Sequence, residues 1–271
     1  MNASSSTRHI LVLGGTLEAS ALATALAERG ERAVLSYAGR VAQPKAQPIS
    51  VRVGGFGGVS GLLAYLREQR ISHVVDATHP FAAQMSRHAV AAAAQAGVPV
   101  LALSRPPWLP GSGDRWQALD SMAAAVAALA GPPQRVMLAL GRLHLAEFAA
   151  QPQHHYLLRL VDVPEPVPPL PLHTAVIARG PFDLAGDTAL LLAHRIDCIV
   201  CKNAGGSGAQ AKLLAARALG LPVLMVQRPP RAACHAVGSV AEVLQWLLFH
   251  AEPAAKAAVA GTETAATDRG V

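Results

Sequence analysis

The 271-residue sequence has no run of eighteen apolar residues without a charge, so no transmembrane helix is expected. It also lacks an apolar segment of signal-peptide length before the first predicted strand, which favours a cytoplasmic location. Lysine and arginine exceed aspartate and glutamate, 23 against 17, but they form no basic helix and no cluster. These absences disfavour membrane and nucleic-acid partners, and the diffuse positive charge suits a small anionic ligand.

Cysteine is scarce as well, with Cys198, Cys201 and Cys234 as the three in the chain. The first two have C-x-x-C spacing, but Ile199 and Val200 place them within a predicted strand. Residues three apart in a strand point to opposite faces, so the pair is interpreted as two core residues rather than two metal ligands. The eleven histidines show no spacing typical of a metal centre, and no metal is expected.

Strand-like apolar runs alternate with Ala/Leu-rich helical stretches along most of the chain, which predicts helices that cover parallel sheets. The proline- and glycine-rich stretch at 104–115 interrupts this alternation and indicates a domain boundary. We expect a disordered N-terminus at 1–8, one domain at 9–105, a second at 106–250 and a disordered tail at 251–271. The predicted fold class is α/β, with two Rossmann-like, doubly wound parallel-sheet domains and the active site in the cleft between them.

A turn at Gly14, Gly15 and Thr16 joins the first predicted strand to a helix, without the full G-x-G-x-x-G spacing. The free N–H groups of such a turn suit a phosphate, although a tight turn without a ligand fits equally well. About twenty residues further on, where an acidic side chain would hold the ribose of NAD, the sequence has Ser36 and Arg40. A hydroxyl and a guanidinium suit a 2′-phosphate, which favours NADPH, and a solvent-facing arginine is the alternative.

A second glycine-rich stretch, VGGFGG, follows the third predicted strand. Gly55 and Gly57 allow close backbone approach to a flat ligand. Phe56 either stacks on that ligand, which we favour, or anchors the loop. This stretch is therefore added to the candidate cofactor site.

The stretch VVDATHPFA places Asp76, Thr78 and His79 at the carboxyl end of a buried strand. Open α/β sheets bind their ligands at this edge. Asp76 would orient His79 or, with its pKa raised by burial, donate a proton. The alternative is that Asp76 or Thr78 simply caps the helix that follows.

The stretch VCKNAGGSGAQAK is the counterpart in the second half of the chain. Lys202 and Asn203 end a predicted strand, and Gly205, Gly206 and Gly208 form a potential anion nest before a helix. The lysine precedes the glycines, so this is not a Walker A loop. The combination suits a carboxylate or a phosphate.

Two further predicted strands of the second half end in a glycine next to an arginine, at Arg142 and Arg179. Together with Lys202 they give three basic strand ends in one half of the chain. This repetition indicates a partner that carries several negative groups.

Seven segments resemble, in the same order, the precorrin-6A reductase family of cobalamin biosynthesis: LGGTLEA, LSYAGR, RVGGFGG, VVDATHPFA, LSRPPW, ARGPF and CKNAGGSGAQAKLLAARALGLPVLMVQRP. They span roughly residues 10–230. The resemblance implies NADPH-dependent reduction of one double bond of precorrin-6A to give precorrin-6B, with the ligands between two Rossmann-like domains. The many acetate and propionate arms of that tetrapyrrole suit a basic chain.

The expected cofactor-binding residues are Gly14, Gly15, Thr16, Ser36, Arg40, Gly55, Phe56 and Gly57. The expected substrate-binding residues are Thr78, Arg142, Arg179, Lys202, Asn203, Gly205, Gly206 and Ser207. Hydride transfer also needs a proton at the neighbouring carbon, and water, Lys202, His79 or Asp76 would supply it.

Four alternatives stay open: a cobalt-precorrin-6A reductase of the anaerobic pathway, a non-catalytic NADP(H) sensor, a nucleotide-sugar transferase and a SAM-dependent transferase. No unburied amphipathic stripe stands out in the sequence, which favours a monomer without fixing the oligomeric state.

Overall fold

The computed structural model describes residues 8–39 and 45–250. Residues 1–7 of the N-terminus expected at 1–8, the tail expected at 251–271, and Arg40 lie outside the described residues, whereas Arg8 is described and donates to the Leu247 carbonyl at 2.6 Å. Two six-stranded sheets form the described part, and every strand pair in them is parallel. The predicted α/β class with two doubly wound parallel sheets is therefore confirmed.

The first sheet is built mainly from the first hundred residues. Its strands are β1 (His9–Leu13), β2 (Arg32–Tyr37), β3 (Ser50–Val53), β4 (His73–Asp76), β5 (Val100–Leu103) and β12 (His235–Val237). Their order across the sheet is β12-β5-β4-β1-β2-β3, which matches the order typical of dinucleotide-binding sheets. The direction of winding reverses between β1 and β4, and ligands bind at such switch points.

The second sheet repeats this plan. Its strands are β6 (Arg115–Leu119), β7 (Arg135–Ala139), β8 (His155–Leu160), β9 (His173–Ile177), β10 (Cys198–Lys202) and β11 (Pro222–Val226). Their order is β6-β11-β10-β7-β8-β9, so the corresponding switch point lies between β7 and β10.

Each sheet has one edge strand that pairs with a partner far away in the chain. Strand β6 precedes the rest of the second sheet in the chain and pairs with its last strand, β11. Strand β12 follows the whole second sheet and pairs with β5 of the first. The second domain therefore does not extend to residue 250 as expected. Strand β12 joins the first sheet, and the helix that follows it, with Val243 and Leu247, packs into the core of that sheet. Alternation of strands and helices carries no signal for such a return.

Seven α-helices cover the sheets in the described part of the chain. They are α1 (Leu17–Glu28), α2 (Gly58–Glu68), α3 (Ala83–Ala96), α4 (Met122–Ala127), α5 (Leu184–Ala193), α6 (Ala211–Leu219) and α7 (Val240–Phe249). Four of them begin at a side chain that accepts a backbone N–H of the first turn, at Thr16, Ser121, Asp183 and Ser239. The Ala/Leu-rich segment LHLAEFAA lies in a 3₁₀ helix at Arg142–Ala150 rather than in an α-helix. None of the described helices is long and apolar enough to span a membrane.

The two C-x-x-C cysteines lie in different halves of the second core. Cys198 packs with Val136 and Val200 on one face of β10, and Cys201 packs with Ile199 and other residues on the opposite face. The prediction that they point apart is confirmed. Within the described residues, no group of three or more His, Cys, Asp or Glu is placed to hold a metal ion.

Burial should make both of these thiols unreactive. It raises the pKa of the Cys198 thiol to about 11 and also raises the pKa of Cys201. Because the thiolate is the reactive form, about one Cys198 thiol in a thousand is ionised at pH 8. We expect a disulfide-exchange reagent to label at most Cys234 in the native protein and all three thiols after denaturation. The Cys234→Ser variant is the control, and rapid labelling of two native thiols would contradict this.

Candidate active site

The carboxyl ends of the two sheets face each other. The Arg105 guanidinium, just after β5, lies 2.5 Å from the carboxylate of Glu18 in α1 and donates to the Ala204 carbonyl, after β10, at 2.7 Å. A Cβ at Gly208 would lie 2.6 Å from Cδ1 of Leu17, so the two chain segments are in close contact. The two switch points therefore border one cleft.

The turn at 14–16, which follows β1, forms hydrogen bonds with β2 and with the residue after β4. The Thr16 hydroxyl accepts the Ala19 N–H at 3.1 Å and donates to the Ala77 carbonyl at 2.8 Å, across the switch point. The Gly14 N–H donates to the Ser36 carbonyl at 2.9 Å, and a Cβ at Gly14 would lie only 2.6 Å from the Leu35 side chain. Close packing against Leu35 thus explains why residue 14 is a glycine, and the N-cap of α1 explains why residue 16 is a threonine.

Gly15 differs from its neighbours because it borders open space. Its φ is +120°, and a Cβ built there would meet no atom within 4 Å. The N–H groups of the first turn of α1 have no partner within the helix and point the same way as the helix dipole. The turn can therefore receive an anion next to Gly15.

Beside the end of β2, strand β3 carries an arginine, Arg52, that the sequence analysis did not single out. Ser36 is buried, and its hydroxyl accepts a hydrogen bond from Nη1 of Arg52 at 3.2 Å. The Arg52 guanidinium lies 3.8 Å from the ring centroid of Phe56, so one face of that ring is covered by the protein itself. Gly57, at φ +80°, is the residue before α2. The signal for Arg52 was its place one residue before the glycine-rich stretch.

Asp76 forms hydrogen bonds within the loop that follows β4 and with α3. Its carboxylate is buried and accepts hydrogen bonds from the Thr78 N–H at 3.1 Å, the Thr78 hydroxyl at 2.7 Å and the Ser86 hydroxyl at 2.5 Å. These three donors lie in the loop after β4 and in α3, but the N-cap residue of α3 is Ala82 and no side chain caps that helix, so neither Asp76 nor Thr78 has the capping role. They favour a positioning role for Asp76 over orientation of His79.

Phe81 connects the two other candidate proton donors. Nδ1 of His79 accepts the Phe81 N–H at 3.2 Å, which leaves the hydrogen of a neutral imidazole on Nε2. Nζ of Lys202 lies 5.1 Å from the Phe81 ring centroid, within range of a cation–π contact. His79 and Lys202 come from different sheets, and Phe81 brings them to the same side of the cleft. The sequence reading missed Phe81.

The 203–206 loop contacts protein rather than open space. The buried Asn203 amide accepts the Trp108 N–H at 2.8 Å and donates to the Trp108 carbonyl at 3.0 Å. A Cβ at Gly205 would lie 2.1 Å from the Pro106 carbonyl oxygen, and one at Gly206 would lie 2.5 Å from Cδ of Arg105. Ser207 is exposed. The glycines and Asn203 are thus explained by contact with the segment that joins the sheets.

Arg228 lies in the segment that leads from β11 back to the first sheet, and it also binds the 203–206 loop. It donates to the carbonyls of Asn203 at 2.9 Å, Arg105 at 2.9 Å and Ala204 at 3.0 Å. Burial, together with the nearby charge of Arg105, lowers the pKa of Arg228 from its usual value. Sequence reasoning missed Arg105 and Arg228 because their partners are backbone carbonyls far away in the chain.

The predicted basic strand ends lie along one edge of the second sheet. Arg142 follows β7 and Lys202 ends β10, and these adjacent strands form the switch point. Arg179 follows β9, two strands beyond β7, and lies 3.6 Å from the Asp162 carboxylate on the surface. The positive charge therefore extends from the cleft outward along the edge.

Comparisons with known proteins agree over both sheets. The chain matches the family model described as precorrin-6x reductase CbiJ/CobK over residues 9–248. It is 58% identical over 241 residues to the precorrin-6A reductase of Rhodobacter capsulatus, which covers 89% of this chain and 96% of that protein. It is 30% identical over 236 residues to the cobalt-precorrin-6A reductase of Salmonella typhimurium, covering 81% of this chain and 87% of that protein. A solved structure of CobK precorrin-6A reductase matches with a TM-score of 0.88 and 57% identity, over 90% of this chain and 97% of that chain.

The contact at Gly205 predicts an unequal effect of two similar substitutions. Gly205 and Gly220 share a left-handed backbone, with φ of +68° and +65°, but a Cβ at Gly220 would meet no atom within 4 Å. Gly220→Ala should therefore cost about 1 kcal/mol of unfolding free energy. Gly205→Ala must also displace Pro106 and should cost roughly 3 kcal/mol or more. Urea unfolding of both variants measures the difference, and equal losses would contradict the contact.

Proposed function

The chain belongs to the precorrin-6x reductase family, and we propose that it reduces one double bond of precorrin-6A to give precorrin-6B, with NADPH as reductant, in cobalamin biosynthesis. The observation that carries the proposal is the family match over residues 9–248, which includes both sheets and both switch points. The higher identity to the Rhodobacter capsulatus protein, 58% against 30% for the cobalt-precorrin-6A reductase, favours the metal-free substrate.

The residues of the first sheet fit a dinucleotide. The open space at Gly15, above the first turn of α1, suits a pyrophosphate, with Gly14 and Thr16 holding the turn in shape. Ser36 and Arg40 would hold the phosphorylated ribose, and Gly55, Phe56 and Gly57 would border it. When bound, NADPH would supply the hydride.

The second sheet fits a polycarboxylate. Lys202 and Arg142 flank the switch point between β7 and β10, and Arg179 lies further along the same edge. These cations would bind acetate and propionate arms and so orient the macrocycle toward the first sheet. Asn203, Gly205 and Gly206 would act by fixing the position of Lys202 rather than by touching substrate, and Thr78, bound to Asp76, would hold the loop that carries His79.

The proton that accompanies hydride transfer has two candidate protein donors at the cleft. His79 would donate from Nε2, since its Nδ1 accepts the Phe81 N–H. Lys202 would donate from its ammonium group, which lies against the Phe81 ring. Asp76 is less suited, because its carboxylate is buried and accepts three hydrogen bonds within its own loop and α3. Water remains the third possible source.

The purified full chain, mixed with precorrin-6A and NADPH, should convert the spectrum of the tetrapyrrole to that of its reduced product. Consumption of NADPH should match product formation one to one. NADH and S-adenosylmethionine are the comparison ligands in a parallel fluorescence titration. Binding of NADPH without a change in the tetrapyrrole spectrum would favour a sensor and contradict a reductase. Faster turnover of the cobalt complex would shift the assignment to the alternative substrate.

Lys202→Met should separate binding from proton transfer. If Lys202 binds a carboxylate arm, KM for precorrin-6A should rise about 10- to 100-fold, since a charge-assisted hydrogen bond is lost. If Lys202 is the proton donor, kcat should fall instead. His79→Gln gives the complementary measurement, and Lys45→Met, at an exposed position, is the matched control. Unchanged kcat and KM in Lys202→Met would rule out both roles.

A further inference from the structure

We propose that Arg52 is a coenzyme-selecting residue that binds the 2′-phosphate of NADPH together with Ser36. This inference rests on the proposed function and names a residue for the preference that it requires.

The register of the sheet aligns Arg52 with the opening turn. Leu13, the residue before the glycines, pairs with Ser36 of β2, and Ser36 pairs with Arg52 of β3. With adjacent strands about 4.8 Å apart, the Cα of Arg52 lies roughly 10 Å from that of Leu13. In sheets of this order the ribose of a dinucleotide lies at the end of the second strand, beside the position of Ser36.

The guanidinium is fixed before any ligand arrives. Nη1 donates to the Ser36 hydroxyl at 3.2 Å and to the Gly54 carbonyl at 2.5 Å, and Nη2 donates to the Gly55 carbonyl at 2.7 Å. The Phe56 ring, 3.8 Å away, restrains the guanidinium plane. Such restraint lowers the entropy lost when an anion binds.

Two of the five N–H donors of Arg52 remain. Neither Nε–H nor the second hydrogen of Nη2 has a hydrogen-bond partner among the described residues. These two groups can form one edge of the guanidinium fork and match two oxygens of a phosphate. The three engaged donors all bond to neutral oxygens.

The positive charge of Arg52 is likewise unbalanced. No carboxylate lies within 4.0 Å of its guanidinium in the part of the chain that the structure describes, although Arg105, Arg159 and Arg217 each pair with one. A partly buried arginine without a carboxylate partner favours an anionic ligand. Ser36 then contributes a hydroxyl beside the same site.

A purely structural role for Arg52 and binding of the 2′-phosphate predict different effects of its loss. If Arg52 only holds the 54–57 turn through the carbonyls of Gly54 and Gly55, its loss weakens all adenosine ligands equally. If it binds the 2′-phosphate, its loss weakens only ligands that carry this group. The comparison between two such ligands therefore decides.

The test is calorimetric titration of the full chain with adenosine 2′,5′-bisphosphate and with 5′-AMP. Arg52→Gln should weaken the bisphosphate about 10- to 100-fold and 5′-AMP less than about threefold. Arg67→Gln, on the exposed side of α2, is the matched control and should change neither. Arg52→Lys keeps the charge without the fork and should give an intermediate loss, so it replaces the glutamine variant if that one does not fold.

Equal weakening of both ligands, or of neither, would overturn the role of Arg52. If Arg40→Ala alone removes the discrimination while NADPH-dependent reduction persists, the inference fails and the proposed function stands. A wild-type chain that binds neither the bisphosphate nor NADPH would overturn the inference and the NADPH dependence together.

Discussion

The loop at 203–206 is the point on which the arrangement of the two sheets depends. Arg105 reaches it from the segment that leaves the first sheet, and Arg228 reaches it from the segment that returns. Both guanidiniums donate to its backbone carbonyls, while Asn203 binds the backbone of Trp108 from within. Carbonyl groups at the end of a strand need partners when they are buried, and these arginines supply them. The two carboxyl edges are consequently held face to face.

Most of the fold could be predicted from the sequence because it repeats a local pattern. Buried apolar runs such as HILVL and CIVC give strands, and Gly97 and Gly220 end helices in left-handed conformations. The edge strands β6 and β12 were not predictable in the same way. β6 has mostly exposed or half-exposed side chains, and β12 has three residues, so neither shows a clear apolar period. Their partners are also remote in sequence, and no local signal specifies them.

The candidate site was predictable where a residue type alone indicates chemistry. His79 and Lys202 do lie on the same side of the cleft, and Gly15 does border open space. Residues whose role is a contact with a distant segment could not be assigned in advance. Gly205 and Gly206 have the composition of an anion nest, yet their missing side chains make room for Pro106 and Arg105. Phe81 and Arg52 have ordinary local surroundings, and only the fold shows what they touch.

The return of β12 to the first sheet makes the first half of the chain depend on the second. A polypeptide cut near residue 105 would leave β5 with a bare edge in one fragment. The other fragment would carry β12 and α7 with no sheet to join, and the apolar face of α7, with Val243 and Leu247, would be exposed to water. The first sheet is therefore complete only when the C-terminal segment is present, whereas the second sheet takes all six of its strands from residues after 105.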